Sequence, residues 1–203
     1  EGYRYYIASL RHQLRHAGIV RIDHVMSFHR LFWIPAGLEA TQGAYVCYHP
    51  DEFYAIIALE SHRSRTVVVG EDLGTVPPEV RPAMAEHGLQ RMYVVQYELR
   101  PDSRVALRSV EDDTVASLNT HDMPTFAAFW QGRDIRERSH TGLLDDTGVA
   151  DETRRRHALK ESLTMFLRSG GWLEERPETG PRDVLRAILS FLGASAGRVL
   201  LVN

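Results

Sequence analysis

VVVGED, residues 67–72, is a run of β-branched residues that stops abruptly at two acids. With Thr66 ahead of it, the run suits a strand buried on both faces, as strands of a parallel sheet are. An acid at the end of such a strand has two explanations. It caps the helix that follows, or it faces a site. The same figure recurs in RID at 21–23, after Ile19 and Val20, and in SLNTHD at 117–122, after Val115 and Ala116. Capping suffices for any one of these acids taken alone. Strands that repeatedly deliver carboxylates at their C-terminal ends match instead the active face of a β/α barrel.

The intervening segments are helical in period. Tyr3, Tyr6, Ile7, Leu10 and Leu14 share one helical face, and Gly18 is placed to end that helix. After a loop containing Pro35, Gly37 and Gly43, residues 50–63 repeat Phe53, Ile56, Ile57 and Glu60 in helical register. Pro77 and Pro78 open a further helix that Gly88 ends. Met92–Tyr97 and Val115–Asn119 are strands, and a helix begins in 124–131. Residues 132–150 form a loop by their Gly, Asp and Thr content. Leu159, Leu163, Phe166 and Leu167 then mark one amphipathic helix, and Val184, Leu185, Ile188, Phe191 and Leu192 a second. Arg198–Val202 is a last apolar strand. Strands alternating with helices predict right-handed βαβ units and a parallel sheet. A doubly wound nucleotide-binding sheet loses support because no GxGxxG turn is present. The expected fold class is α/β, a (β/α)₈ TIM barrel.

Composition narrows the function. In 203 residues, 43% are hydrophobic and 25% charged, enough for a sizeable core. A net charge of −3 with both signs interspersed argues against nucleic acid or an anionic membrane as partner. Arg154-Arg155-Arg156 is the one compact basic cluster and reads as a solvated helix face. The single cysteine, Cys47, permits no internal disulfide and fits a reducing compartment, so a cytoplasmic location is expected. No apolar run approaches the roughly 20 residues that span a bilayer. No signal peptide is visible, and the chain opens on Glu-Gly-Tyr without methionine, as an excised piece would.

Carboxylates that converge resist simultaneous ionisation and divide into an anion and a proton donor. Retaining glycosyl transfer needs that division. One carboxylate attacks the anomeric carbon while another protonates the leaving oxygen, the two standing about 5–5.5 Å apart. Arg21, two residues before Asp23, points to the same side of its strand and supplies Asp23 with a cation. His121 beside Asp122 offers a donor to a sugar hydroxyl.

RIDHVMSFHRLFWIP at 21–35, VVGEDLGTVP at 68–77 and NTHDMPT at 119–125 resemble the 4-α-glucanotransferases known as amylomaltases or disproportionating enzymes, glycoside hydrolase family 77. GAYVCYHPDEFYAIIALESHR at 43–63 and EGYRYYIASLRH at 1–12 are similar to the same family. The resemblance is nearly continuous to about residue 130 and weaker beyond. It implies that Asp23 is the nucleophile, Glu71 the general acid/base and Asp122 the third carboxylate, which steadies the distorted donor sugar. Arg21 and His121 match their companions. It implies α-1,4-glucans and maltooligosaccharides as substrates, glucose as an acceptor, and no metal or organic cofactor. The family's barrel begins before residue 1, so the chain is expected to hold about strands four to eight of one catalytic barrel. A helical insertion over about 150–193 would precede the last strand.

Trp33, Tyr45, Tyr48 and Trp130 have the flat amphipathic rings that stack on pyranoses. Trp33 and Tyr45, on the loop after the Asp23 strand, are the substrate-binding candidates; Trp130, after Phe126 and Phe129, reads as core. Asp72 reads as a structural acid, and His24 and His29 as scaffold. A zinc site from Asp23, His24, His121 and Asp122 is disfavoured, since neighbours on a strand point to opposite faces. Alternatives within the same chemistry are an α-glucan hydrolase, a branching enzyme, or an incomplete barrel with little activity.

Overall fold

The computed structural model describes residues 2–176 and 179–202. The chain divides into two compact units, Glu1–Met92 and Tyr93–Asn203.

The first unit is built on a parallel strand pair. α1 (Arg4–Leu14) buries Leu10 and Leu14, as its periodicity predicts. It ends at Arg15, ahead of Gly18. β1 (Ile19–Ile22) follows, then a 3-10 turn at Val25–Phe28. β2 (Arg30–Trp33) and β3 (Ala44–Cys47) pair antiparallel, with Phe32 opposite Tyr45 and Trp33 opposite Ala44. α2 (Pro50–Ser64) starts on a proline, with Asp51 and Glu52 in its first turn and His62 and Arg63 in its last, which suits the helix dipole at both ends. β4 (Val67–Gly70) pairs parallel with β1 in the register Ile19–Val67 to Ile22–Gly70. α3 (Val80–Glu86) begins after the two prolines rather than on them, and Gly88 at φ 71° closes it. A parallel bridge from Val69 to Gln90 leads into β5 (Arg91–Val94).

The core of this unit gathers Leu10, Leu14, Val25, Phe28, Tyr54, Ile57, Val80 and Met84. Glu60, in apolar register on α2, is buried because Arg11 of α1 donates to both its oxygens, each at 2.8 Å, and Arg63 adds a third bond at 3.1 Å. The Arg11 hydrogen bonds hold the Glu60 carboxyl below its ordinary range.

In the second unit the sheet order is β5, β6 (Thr114–Ser117), β7 (Val199–Leu201), and β6 and β7 run parallel. β5 stops at Val94, short of the expected Tyr97; Val95–Glu98 coils into one helical turn, α4. Between β6 and β7 lie α5 (Phe126–Gln131), α6 (Arg133–His140), α7 (Asp146–Ser169) and α8 (Pro181–Gly193). Leu159, Leu163 and Leu167 of α7 meet Val184, Ala187, Ile188 and Leu192 of α8 in one core cluster. Trp130 packs against it partly buried.

Most of the expected 132–150 loop is helical. α6 buries only Ile135, so it shows no apolar stripe, and α7 starts at Asp146 because Asp145 accepts the Gly148 N–H at 2.7 Å. The basic cluster also differs from expectation. Arg154 and Arg155 are solvated, but Arg156 turns inward and donates to both oxygens of Asp134, at 2.9 and 2.7 Å, and to the Phe129 carbonyl. Its guanidinium lies 3.7 Å from the Phe129 ring centre, a favourable cation–π placement. Burial alone raises the Asp134 carboxyl. The hydrogen bonds and charge of Arg156, with backbone N–H donors, outweigh it and hold the group below its ordinary 3.8.

A carboxyl lowered on folding stabilises the fold fully above its unfolded pKa, and that contribution is lost as pH falls through the folded value. Arg156→Ala is therefore expected to cost about 3 kcal/mol at neutral pH, by urea unfolding, and Arg155→Ala under about 0.5. The Arg156 deficit should shrink as pH drops below the ordinary 3.8 of Asp134. Equal effects of the two changes would contradict the buried pair.

Candidate active site

Parallel pairing sets the first two acids side by side. Ile22 of β1 is opposite Gly70 of β4, so Asp23 and Glu71 are the next residues on adjacent strands, whose backbones run about 4.8 Å apart. The ladder continues past the strand ends. The Glu71 N–H reaches Ile22 O at 2.8 Å, and Glu71 O accepts from the Val25 N–H at 3.0 Å. Gly70 leaves room for the side chains packed behind the pair, because a Cβ there would lie 2.8 Å from Met84 Cε and 3.0 Å from Val25 Cγ2.

The two carboxylates occupy different surroundings. The Asp23 side chain is 78% exposed and pairs with Arg21 Nη2 at 2.7 Å. Glu71 is 9% exposed. One of its oxygens accepts the His24 N–H at 3.0 Å and the other the Leu73 N–H at 2.7 Å. Two backbone donors on two oxygens fix the rotamer of this side chain, since leaving either donor unmet would cost desolvation energy. These donors are main-chain groups, which no residue type in the sequence could signal.

Asp72, the neighbour of Glu71, points the other way. It is 1% exposed and accepts from Arg81 Nε at 2.9 Å, Arg91 Nε at 3.3 Å and the Met92 N–H at 2.9 Å. Strand alternation thus sends one acid toward the strand-end face and the next into the scaffold, as expected of Asp72. His29 is also scaffold: its Nε2 lies 3.1 Å from the hydroxyl of buried Tyr54. Burial pushes the His29 imidazole down, against the opposing pull of Glu79 and Asp51.

Asp122 and His121 lie in the second unit, on the segment that follows β6. Both are exposed, with His121 Nε2 3.4 Å from Asp122 Oδ2. Asn119 Nδ2 and Gln96 Nε2 both donate to the Pro124 carbonyl, at 3.0 and 3.1 Å, and so pin the far end of that segment. Gln96 had no sequence signal. It matters only through the fold that brings it to Pro124.

None of the three strand-end acids caps a helix among the described residues. Asp23 precedes a 3-10 turn without a side-chain cap, α3 starts nine residues after Glu71 at Val80, and Thr125 caps α5. The capping explanation fails for all of them.

Trp33 and Tyr45 do not share a face. Cross-strand pairing joins Tyr45 to Phe32, and Trp33, one residue on, faces the opposite side of the hairpin. Tyr45 is engaged by its neighbours, with Phe32 edge-on at 5.1 Å and the Arg30 guanidinium 4.2 Å over its ring. Trp33 is exposed, and its indole N–H is held by the Tyr48 hydroxyl at 3.0 Å. Both belong to strands rather than to a loop. Apolar residues on both faces of these strands hid the alternation. Among the described residues no cluster of three or more His, Cys, Asp or Glu could hold a metal ion, and no helix is long and apolar enough to cross a membrane.

A family model described as 4-alpha-glucanotransferase matches residues 1–203. The 4-alpha-glucanotransferase of Mycobacterium tuberculosis is 37% identical over 205 residues, covering 98% of this chain and 28% of that protein. That of Haemophilus influenzae is 35% identical over 172 residues, covering 85% of this chain and 25% of that protein. The crystal structure of amylomaltase from Corynebacterium glutamicum superposes with a TM-score of 0.88 at 26% identity, over 99% of this chain and 30% of that one. Amylomaltase from Streptococcus agalactiae, solved in complex with acarbose, gives 0.70 at 15% identity over 99% and 35%, a likeness of fold alone. The chain thus spans roughly a quarter to a third of the relatives it matches.

Proposed function

This chain belongs to the 4-alpha-glucanotransferase family, and from that premise we propose that the full-length protein transfers segments of α-1,4-glucan to glucose or maltooligosaccharide acceptors with retention at the anomeric carbon. The observation that carries the reading is the placement of Asp23 and Glu71 one step past the last paired residues of adjacent parallel strands. Asp23 attacks the anomeric carbon from the exposed strand end, oriented by Arg21. Glu71 protonates the departing glycosidic oxygen. It then takes the proton of the acceptor hydroxyl as that oxygen displaces Asp23 from the covalent glucosyl intermediate.

Asp122, by its place in the THD motif, takes the part of the third carboxylate, with His121 as its partner toward sugar hydroxyls. Trp33 is the stronger of the two stacking candidates, because the ring of Tyr45 already carries the Arg30 guanidinium. In the barrel reading, β1, β4, β5, β6 and β7 correspond to strands four to eight. α7 and α8 are the insertion before the last of them. A cytoplasmic setting fits the one cysteine, Cys47.

Incubation of the full-length protein with maltotriose tests the reaction. The expected products are glucose together with maltooligosaccharides longer than maltotriose. Glucose and maltose alone would make the protein a hydrolase, and products with new α-1,6 linkages would make it a branching enzyme.

A further inference from the structure

His24 adopts φ 47° and ψ 62°, in the left-handed region that residues with a Cβ seldom enter. Arg65, which shares this conformation, closes a helix, where such a residue is common. His24 instead precedes a 3-10 turn, where the flanking residue ordinarily keeps extended dihedrals. It is also the residue directly after Asp23. The imidazole does not account for the bend, because it is exposed and makes no hydrogen bond among the described residues.

The backbone does account for it. In an extended strand successive N–H groups point in opposite directions. Helical dihedrals of either hand turn them to the same side, and consecutive N–H groups so turned form an anion-binding concavity. Here the N–H of His24 meets the Glu71 carboxylate at 3.0 Å, and the N–H of Val25 meets the Glu71 carbonyl at 3.0 Å. The left hand of the bend also carries Val25, fully buried, against the Cα of Gly70. The residues on either side of Asp23 are thereby fastened to the residue that carries the second carboxylate.

We infer that His24 is a positioning residue that acts through its left-handed backbone, aiming its N–H at Glu71 and so setting the acid/base against the nucleophile. The inference rests on the roles proposed above for Asp23 and Glu71. It makes the needed property conformational: at position 24, tolerance of positive φ counts and imidazole chemistry does not.

The test is a series at position 24 in the full-length protein, with kcat and KM measured on maltotriose. His24→Gly and His24→Asn, whose residues accept positive φ, should lower kcat by no more than about fivefold. His24→Val, which resists it, should lower kcat by about 100-fold or more with KM changed less than about threefold. Equal losses in all three would assign the role to the imidazole and overturn the inference, as would full activity in the valine variant. Should that variant fail to fold, His24→Ala takes its place, with an expected kcat between those of the glycine variant and of a 100-fold loss; activity equal to glycine's would overturn the inference. Glu71→Gln, run in parallel, separates the two levels. If it retains turnover, the site reading itself fails. If it loses turnover while the position 24 series stays flat, only the positioning role fails.

Discussion

Replacing Asp23 by Asn in the full-length protein is expected to lower maltotriose turnover by about 10⁴-fold or more, and no activated donor should restore it. The reason is covalent. Without the carboxylate no glucosyl ester forms, so neither half of the double displacement proceeds, however good the leaving group. Glu71→Gln should also fall by about 10³–10⁴-fold on maltotriose, but for a different reason. The amide cannot protonate the glycosidic oxygen, although the nucleophile is intact. An α-glucosyl fluoride, whose fluoride departs without a proton, should therefore still glucosylate the Glu71→Gln protein and release a burst of fluoride. It should release none from the Asp23→Asn protein. Fluoride release by the Asp23 variant and not by the Glu71 variant would exchange the two roles; release by both would place the nucleophile elsewhere. Because Asp23 is 78% exposed and, among the described residues, pairs with an Arg21 side chain that is itself 33% exposed, its replacement should leave stability within about 0.5 kcal/mol. A loss of activity in a protein of unchanged urea midpoint is then a loss of chemistry.

Asp72→Ala is expected to do the reverse, destabilising the first unit by about 3–5 kcal/mol. The carboxylate it removes is 1% exposed and gathers Arg81 from α3, Arg91 from β5 and the Met92 N–H. Alanine removes one carboxylate acceptor from an Arg91 side chain that is only 11% exposed, and takes the acceptor from the buried Met92 amide. Such groups cost more when one partner is removed than the intact network contributes. Asp72→Asn, which keeps the shape and one oxygen, should recover part of the loss. Urea unfolding of the full-length protein measures both, and an alanine variant within about 1 kcal/mol of the parent would show that the network is dispensable. Adjacent acids, Glu71 and Asp72, are thus expected to separate by consequence: one change should silence the proposed site, the other loosen its frame.

Much of this is legible in the sequence. TVVVG reads as a buried strand, and β4 buries Val68, Val69 and Gly70 but leaves Val67 exposed; the helical periods of 50–63, 159–167 and 184–192 returned as α2, α7 and α8. The strand-end placement of Asp23 and Glu71 followed from the same pattern, because a carboxylate after a β-branched run has few other places to go; β6 stops at Ser117, so Asp122 stands on the segment beyond it. Local signals failed where apolar and polar residues were not sorted by face. β2 and β3 carry apolar side chains on both sides, so no alternation betrayed them. α6 has one buried residue and no stripe. Arg156 looks like its neighbours Arg154 and Arg155 until α6 supplies Asp134.

By itself, then, the sequence determined the α/β class, the family, and which acids end strands, since periodicity and residue type are properties of short segments. Only the tertiary structure decided which atoms those acids meet. The register of β1 on β4, the left-handed bend at His24, the opposite faces of Trp33 and Tyr45, and the division between Glu71 and Asp72 all depend on strands and main-chain amides brought together from tens of residues apart. Main-chain donors are the same at every position, so a sequence cannot say where they will point.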